Sequence, residues 1–232
     1  MARDSYHTPG DGPQPSGSAA PMFALATAGA LCGLDAGSFG PCLPALRAGL
    51  ALDDRRAAWI LSAYVLGAIY GAPWAARFGA TRGASRTLTG ALLLAAAGAL
   101  VMATSQGLLG MCAGRALFGL GGGAVLPIAT AAVTARVPVA RRGRAIVTLS
   151  LAYGVAFLVA SATASMLGAL AWRAVYVALG AFALAAAGGV AVALGEARAV
   201  TTAARLDGAG VALWAVTVAS LAVIVPRLRG GS

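Results

Sequence analysis

Long apolar stretches alternate with short polar segments along this chain, and seven of the stretches reach or approach the length of a membrane-spanning helix. A spanning helix needs about 20 predominantly apolar residues. The apolar residues run continuously instead of alternating with polar ones, which predicts helices and not barrel strands. The predicted segments are 22–46, 57–76, 87–106, 108–134, 145–168, 172–195 and 208–226.

Composition supports a lipid environment for these helices. Hydrophobic residues make up 59% of the 232 residues and charged residues only 10%, whereas a soluble domain carries roughly 25% charged residues. The net charge is +10, but the arginines fall in short loops between apolar runs, so we expect the bilayer and no nucleic acid as a partner. The three cysteines lie within apolar runs, where they are predicted to pack between helices: Cys32, Cys42 and Cys112.

Loop charge predicts the orientation of the chain in the membrane. The loops after the second and fourth segments carry seven arginines, and the positive-inside rule places such loops in the cytoplasm. Residues 1–20 are polar and rich in Pro, Gly and Ser, and they are predicted to form a disordered cytoplasmic tail. The seven arginines are Arg77, Arg82, Arg86, Arg136, Arg141, Arg142 and Arg144.

Two charges lie inside predicted spans, where each is costly and is typical of a functional site. Asp35 lies near the middle of the first segment and Arg115 about two turns into the fourth. Asp35 is interpreted either as a protonatable or cation-binding carboxylate, or as a structural acid at a helix break near Gly37, Gly40 and Pro41. Arg115 either tunes the proton affinity of a nearby carboxylate, or it satisfies backbone carbonyls or extends toward the nearer interface.

Six short pieces of the sequence, in order along the chain, resemble the signatures of a known family. They are Leu34-Asp35 followed after seven residues by Leu43-Pro44-Ala45-Leu46, Trp59–Leu66, the pattern of Arg115, Gly119, Gly121 and Pro127, then Arg141–Ala145, Trp172-Arg173 and Arg205–Gly210. Together they resemble the major facilitator superfamily (MFS), and within it the fourteen-helix branch of proton-coupled drug exporters. The resemblance covers roughly residues 22–226.

The resemblance implies an all-α membrane protein with an N-terminal six-helix bundle over 21–200, built as two inverted three-helix repeats, and a seventh helix within 201–232. It implies that Asp35 and Arg115 face a central cavity from helices one and four and couple proton exchange to efflux of a small apolar or cationic compound across a bacterial-type plasma membrane. The energy source would be the proton gradient, with no cofactor. Four aromatic residues are candidates to line the cavity, although each is equally expected to face lipid or another helix: Tyr64, Phe118, Tyr153 and Phe157.

The sequence departs from the family pattern in two motifs. The predicted cytoplasmic loop after helix two keeps Arg77, Gly79 and Arg82, but Ala76 stands where the family has an aspartate that helps to hold its two halves together. The fifth segment reads Val159–Ala164 where the family has a Gly-Pro antiporter element. Antiport through the usual hinge is therefore not supported by these residues.

The chain also has about half the length that the family needs. We expect a truncated gene product, a fragment of a longer protein, or a half-transporter that pairs with a second half or a second copy. A non-transporting membrane protein that keeps the half-fold is the alternative function. An enzyme is not expected, because the sole histidine, His7, lies in the tail and the sequence has no HExxH, GxSxG or phosphate-binding loop.

Overall fold

Six helices occupy residues 19–195, which together with Val216 are the residues that this computed structural model describes. A continuous helical run from Val139 to Leu194 breaks at Ala171, whose φ of −151° and ψ of 49° are not helical, and this break separates α5 from α6. The helices are α1 (Ala19–Gly49), α2 (Asp54–Arg82), α3 (Ala84–Thr104), α4 (Leu108–Arg136), α5 (Val139–Leu167) and α6 (Ala171–Leu194).

All six helices are long and apolar enough to cross a membrane. Each overlaps one of the first six predicted segments, so six of the seven predicted spanning helices are confirmed. The predicted tail lies outside the described residues, apart from Ala19 and Ala20 at the start of α1. The predicted seventh helix also lies outside them, apart from Val216.

The junction between α2 and α3 differs from the predicted loop. Helix α2 continues to Arg82, and Gly83 is the single residue between the two helices. Arg77, Gly79 and Arg82 therefore lie in the last turns of α2 and not in a loop.

Side-chain contacts one turn apart explain why α2 continues beyond its apolar run. The ring of Phe78 packs 4.9 Å from that of Trp74, and the Arg82 guanidinium lies 4.6 Å from the Phe78 ring. Pairs at this spacing stabilise a helix surface. The helix ends where Gly83 adopts a φ of 86°, a conformation that glycine reaches without a steric penalty.

Helices α1 and α5 approach each other through glycines. A Cβ atom at Gly33 would overlap the carbonyl oxygen of Tyr153, and one at Gly37 would overlap that of Phe157. Only glycine permits this backbone approach, which is how helices associate closely in lipid.

Helices α4 and α2 meet in the same manner. A Cβ atom at Gly119 would overlap the carbonyl oxygen of Tyr64, and one at Gly123 would meet the backbone of Ala68. Gly119 and Gly123 follow Gly33 and Gly37 by 86 residues each, while Tyr153 and Phe157 follow Tyr64 and Ala68 by 89 each. The α1·α5 and α4·α2 contacts are thus equivalent, as the predicted pair of inverted three-helix repeats requires.

Burial differs between the helices in a way that follows this repeat. In the most apolar 18-residue windows of α3 and α4, 56% of residues are buried, compared with 28% in α2 and 22% in α5. Helices α2 and α5 occupy equivalent places in the two repeats. They present the largest apolar faces that the bundle itself does not cover.

Candidate functional site

Asp35 and Arg115 meet in the interior of the six-helix bundle. Arg115 Nη1 on α4 donates a hydrogen bond to Asp35 Oδ1 on α1 at 2.5 Å. Both residues are 2% exposed. Because the two charges are removed from water, each depends on the other for compensation, and loss of either partner would leave a buried uncompensated charge.

Three aromatic rings surround the Arg115 guanidinium. Its Cζ atom lies 4.1 Å from the ring centroid of Phe39, 5.2 Å from that of Tyr64 and 6.0 Å from that of Tyr176. These rings come from α1, α2 and α6, and the face of an aromatic ring attracts a cation at such distances. The ion pair is therefore enclosed by contributions from four helices.

Two further hydrogen bonds fix the segment of α1 that carries Asp35. Cys32 Sγ donates to the Gly122 carbonyl oxygen of α4 at 3.6 Å, and Ser38 Oγ donates to the Asp35 carbonyl oxygen at 3.2 Å. Cys32 and Cys42 are buried free thiols. The Cys32 bond gives α1 and α4 a second polar contact beside the ion pair.

Two polar atoms around Arg115 have no hydrogen-bond partner among the described residues. They are Arg115 Nε and the hydroxyl oxygen of Tyr176, a residue that is 1% exposed. Sequence reasoning did not single out Tyr176 or Phe39. The available signal for Tyr176 is a hydroxyl-bearing side chain in an apolar span, one turn after Trp172-Arg173.

Comparison with known families decides the classification. The family model described as Major Facilitator Superfamily matches residues 25–227. The chain belongs to the Major Facilitator Superfamily. No curated protein sequence matches the chain.

Solved structures show the same MFS fold. A crystal structure of the peptide transporter POT, a mutant in complex with sulfate, is similar with a TM-score of 0.68 and 20% sequence identity. The match covers 88% of this chain and 46% of that transporter, so the chain spans about half the length of its structural neighbour. With six membrane-length helices and this family, the chain is a multi-pass membrane protein.

The structure distributes the aromatic residues predicted for the MFS cavity over different surroundings. Tyr64 stacks against Arg115, whereas Phe118 is fully buried where α4 packs on α3 and lines no open surface of the described residues. Tyr153 and Phe157 lie on α5, where their backbone carbonyls contact the α1 glycines, and the Phe157 side chain is 38% exposed. Of these four rings, that of Tyr64 lies beside the Arg115 guanidinium, 5.2 Å from its Cζ atom.

The remaining predicted residues serve packing or lie elsewhere. Gly119 allows α2 to approach α4, and a Cβ atom at Gly121 would overlap the Ala91 carbonyl oxygen of α3. Pro127 is exposed on α4. Arg77, Gly79 and Arg82 lie near the C-terminal end of α2 and belong to a separate part of the molecule.

An open depression of about 590 Å³ lies at the end of α1, apart from the ion pair. Its lining includes Pro44, Arg47 and Asp53 and none of the aromatic residues predicted for the cavity. The ion pair itself is buried in this packing, with Asp35 and Arg115 each 2% exposed. Chemically, the pair places a carboxylate, which can bind a proton, beside a guanidinium, which stays charged.

Proposed function

We propose that this chain is the six-helix half of a proton-coupled MFS exporter of a small apolar or cationic compound, with Asp35 as the proton carrier. The observation that carries the proposal is the Asp35–Arg115 ion pair, which is 2% exposed at each residue and joins α1 to α4. An ionisable pair within a spanning bundle is a costly arrangement that marks proton and substrate pathways.

Protonation of Asp35 would change the balance between the two helices. A neutral carboxyl group no longer compensates Arg115, and leaving one member of a buried pair alone costs about 3–5 kcal/mol. That free energy favours a state in which α1 and α4 separate and Arg115 reaches water or a substrate. Proton binding would thereby be coupled to a change in the access to the site.

Substrate binding in this proposal requires a second wall. The exposed faces of α2 and α5 carry large apolar side chains, with Trp59 60% and Leu158 68% exposed. We propose that a second six-helix body covers these faces, supplied by the rest of a longer protein or by a second copy of the chain. The bilayer would cover the remaining apolar surface.

The proposed orientation places the N-terminus in the cytoplasm of a bacterial-type cell. Arg77 and Arg82 are exposed at the end of α2, and Arg141 and Arg144 are exposed at the start of α5. Because consecutive helices run in opposite directions, the α2–α3 and α4–α5 junctions belong to the same side of the membrane. A side rich in arginine is the cytoplasmic side.

The test is ethidium efflux and its pH dependence in cells that express the complete polypeptide containing this chain. Asp35→Asn is expected to abolish efflux while the protein still reaches the membrane, since an amide cannot exchange a proton. Asp54→Asn is the matched control, because Asp54 is an exposed acid at the start of α2. Efflux that keeps its rate and its pH dependence in Asp35→Asn would show the proposal to be wrong.

A second candidate is a non-transporting membrane protein that keeps the half-fold. It is favoured by Ala76 at the place of the family's aspartate and by the fifth helix without Gly-Pro at Val159–Ala164. Crosslinking in a mild detergent separates the two candidates. A strict monomer that supports no export would leave this second candidate.

A further inference from the structure

Just after Asp35, the Gly37 carbonyl of α1 lacks the backbone donor that a regular helix would supply. In an α-helix the N–H of each residue donates to the carbonyl four residues earlier, so the Gly37 carbonyl would accept from residue 41. Residue 41 is Pro41, which lies inside α1 and has no N–H. The Gly37 carbonyl therefore needs a partner from outside its own helix.

Ser161 of α5 supplies that partner. Its Oγ atom donates a hydrogen bond to the Gly37 carbonyl oxygen at 3.0 Å. The approach is possible because Gly37 has no side chain: a Cβ atom there would overlap the Phe157 carbonyl oxygen, one turn before Ser161. The hydroxyl of one helix thus replaces the N–H that is missing from the other.

Neighbouring hydroxyls on α5 behave differently. Thr163 Oγ1 donates to the Val159 carbonyl at 2.8 Å and Ser165 Oγ to the Ser161 carbonyl at 2.7 Å, both one turn back in the same helix. Such bonds within one helix are the usual choice of Ser and Thr in spans. Ser161 instead donates to another helix, at the Gly37 carbonyl, which has no donor within its own helix.

Helix α4 of the second repeat has an equivalent proline, but the helix packed against it has no equivalent hydroxyl. Pro127 follows Pro41 by 86 residues, the spacing that relates Gly123 to Gly37. The residue of α2 that corresponds to Ser161, by the spacing of 89 that relates Phe157 to Ala68, is Ala72. The replacement donor is therefore present beside α1, the helix that carries Asp35, and absent from the equivalent position beside α4.

We propose that Ser161 is a positioning residue that holds α1 where Pro41 removes a helical hydrogen bond and thereby fixes Asp35 opposite Arg115. Asp35 precedes Gly37 by two residues, so movement of the Gly37 carbonyl moves the backbone of Asp35. The inference rests on the proposed function for the importance of Asp35, but the hydrogen bond and its link to Pro41 are tested separately from transport.

The first test is hydrogen–deuterium exchange of the full chain in lipid nanodiscs. Ser161→Ala is expected to speed exchange of the α1 amides at 38–46 by about three- to tenfold, the range of one hydrogen bond between helices in lipid. Ser165→Ala, the matched control, is expected to leave that segment unchanged. Ser161→Thr keeps the hydroxyl and is expected to restore slow exchange; failure of this rescue would count against the proposal.

A double-mutant cycle decides whether Ser161 acts through the proline. Pro41→Ala returns an N–H to α1, so the Gly37 carbonyl regains its own helical donor and Ser161→Ala should have little further effect in that background. An equal effect of Ser161→Ala in both backgrounds would overturn the inference.

The positioning role is read from the infrared band of the Asp35 carboxylate, identified by its loss in Asp35→Asn. Ser161→Ala should shift this band and Ser161→Thr should return it, whereas Ser165→Ala should not move it. An unmoved band would refute positioning even if exchange changes. If the exchange cycle and the band behave as expected but Asp35→Asn exports ethidium normally, the proposed function fails and the Ser161 contact stands.

Discussion

The two three-helix repeats of this bundle share their packing and differ in their chemistry. At equivalent places, Gly37 and Gly123 bring α1 against α5 and α4 against α2 through direct backbone contact. The positions equivalent to Asp35 and Arg115, by the same spacing of 86 residues, are Gly121 and Gly29. The packing glycines are therefore present in both repeats, whereas neither Asp35 nor Arg115 has a charged counterpart in the other repeat, because glycine stands at each equivalent position.

This difference shows that the close packing of helix backbones and the ion pair depend on different residues and can be removed separately. Glycines fix how near α1 lies to α5 and α4 lies to α2, and neither approach needs a charge. The glycine contacts already join one repeat to the other, and the ion pair adds a charged contact between them, with Asp35 in the first repeat and Arg115 in the second. Substitutions that remove one feature at a time test this separation.

The largest expected effect follows from loss of one charge. Arg115→Met should lower the free energy of unfolding by about 3–5 kcal/mol, because Asp35 would remain buried without compensation. The double variant Asp35→Leu/Arg115→Met removes both charges and should recover much of that loss. The measurement is reversible unfolding in mixed micelles, with the exposed-pair variant Asp54→Asn as control. Asp35→Leu alone completes the cycle. If the double variant loses as much stability as the two single variants together, the charges do not depend on each other.

An intermediate effect is expected at the glycines, and it should be similar in both repeats. Gly37→Ala and Gly123→Ala each place a Cβ atom against backbone of the partner helix, and each should cost about 1–3 kcal/mol of stability. Gly154→Ala is the control, since a Cβ atom there meets nothing within 4 Å. Its expected effect is neutral or slightly stabilising, as alanine favours helices. Destabilisation at Gly37 alone would contradict the equivalence of the two packing contacts.

Sequence reasoning reached the six helices because apolar runs of about 20 residues have few other stable structures in lipid. It also singled out Asp35 and Arg115, because charges in spans are costly and therefore rare. It did not reach the enclosure of Arg115 by Phe39 and Tyr176, since these residues come from α1 and α6 and meet only through the relative rotation of packed helices.

The end of α2 and the Ser161 contact show two further features that the apolar pattern of the sequence does not predict, one local and one between residues far apart in the chain. Helix α2 extends to Arg82 through local ring and cation contacts that an apolar-run criterion does not weigh. Ser161 and Gly37 are 124 residues apart, and only the register of α1 against α5 makes them neighbours. The spacing of 86 between the prolines is visible in the sequence, but its meaning depends on knowing which glycines face which helix.

The smallest expected effect is a gain of the missing contact in the second repeat. Ala72→Ser places a hydroxyl where the repeat equivalence puts it beside the Gly123 carbonyl, which Pro127 leaves without a helical donor. Amide exchange in α4 at residues 124–132 should slow by about threefold, corresponding to the average hydrogen bond between helices in lipid. Hydrogen–deuterium exchange in nanodiscs measures this change.

The prediction depends on the proline, and this gives its control. In a Pro127→Ala background the Gly123 carbonyl regains an N–H from its own helix, so Ala72→Ser should no longer slow exchange. Slower exchange in both backgrounds would mean that the new hydroxyl acts elsewhere on α4. If exchange does not change in either background, the equivalence of Ala72 to Ser161 is wrong, and the two repeats differ in register as well as in chemistry. A contact that depends on proline in both repeats would establish that a single hydroxyl is the local difference between the α1·α5 and α4·α2 interfaces at their prolines.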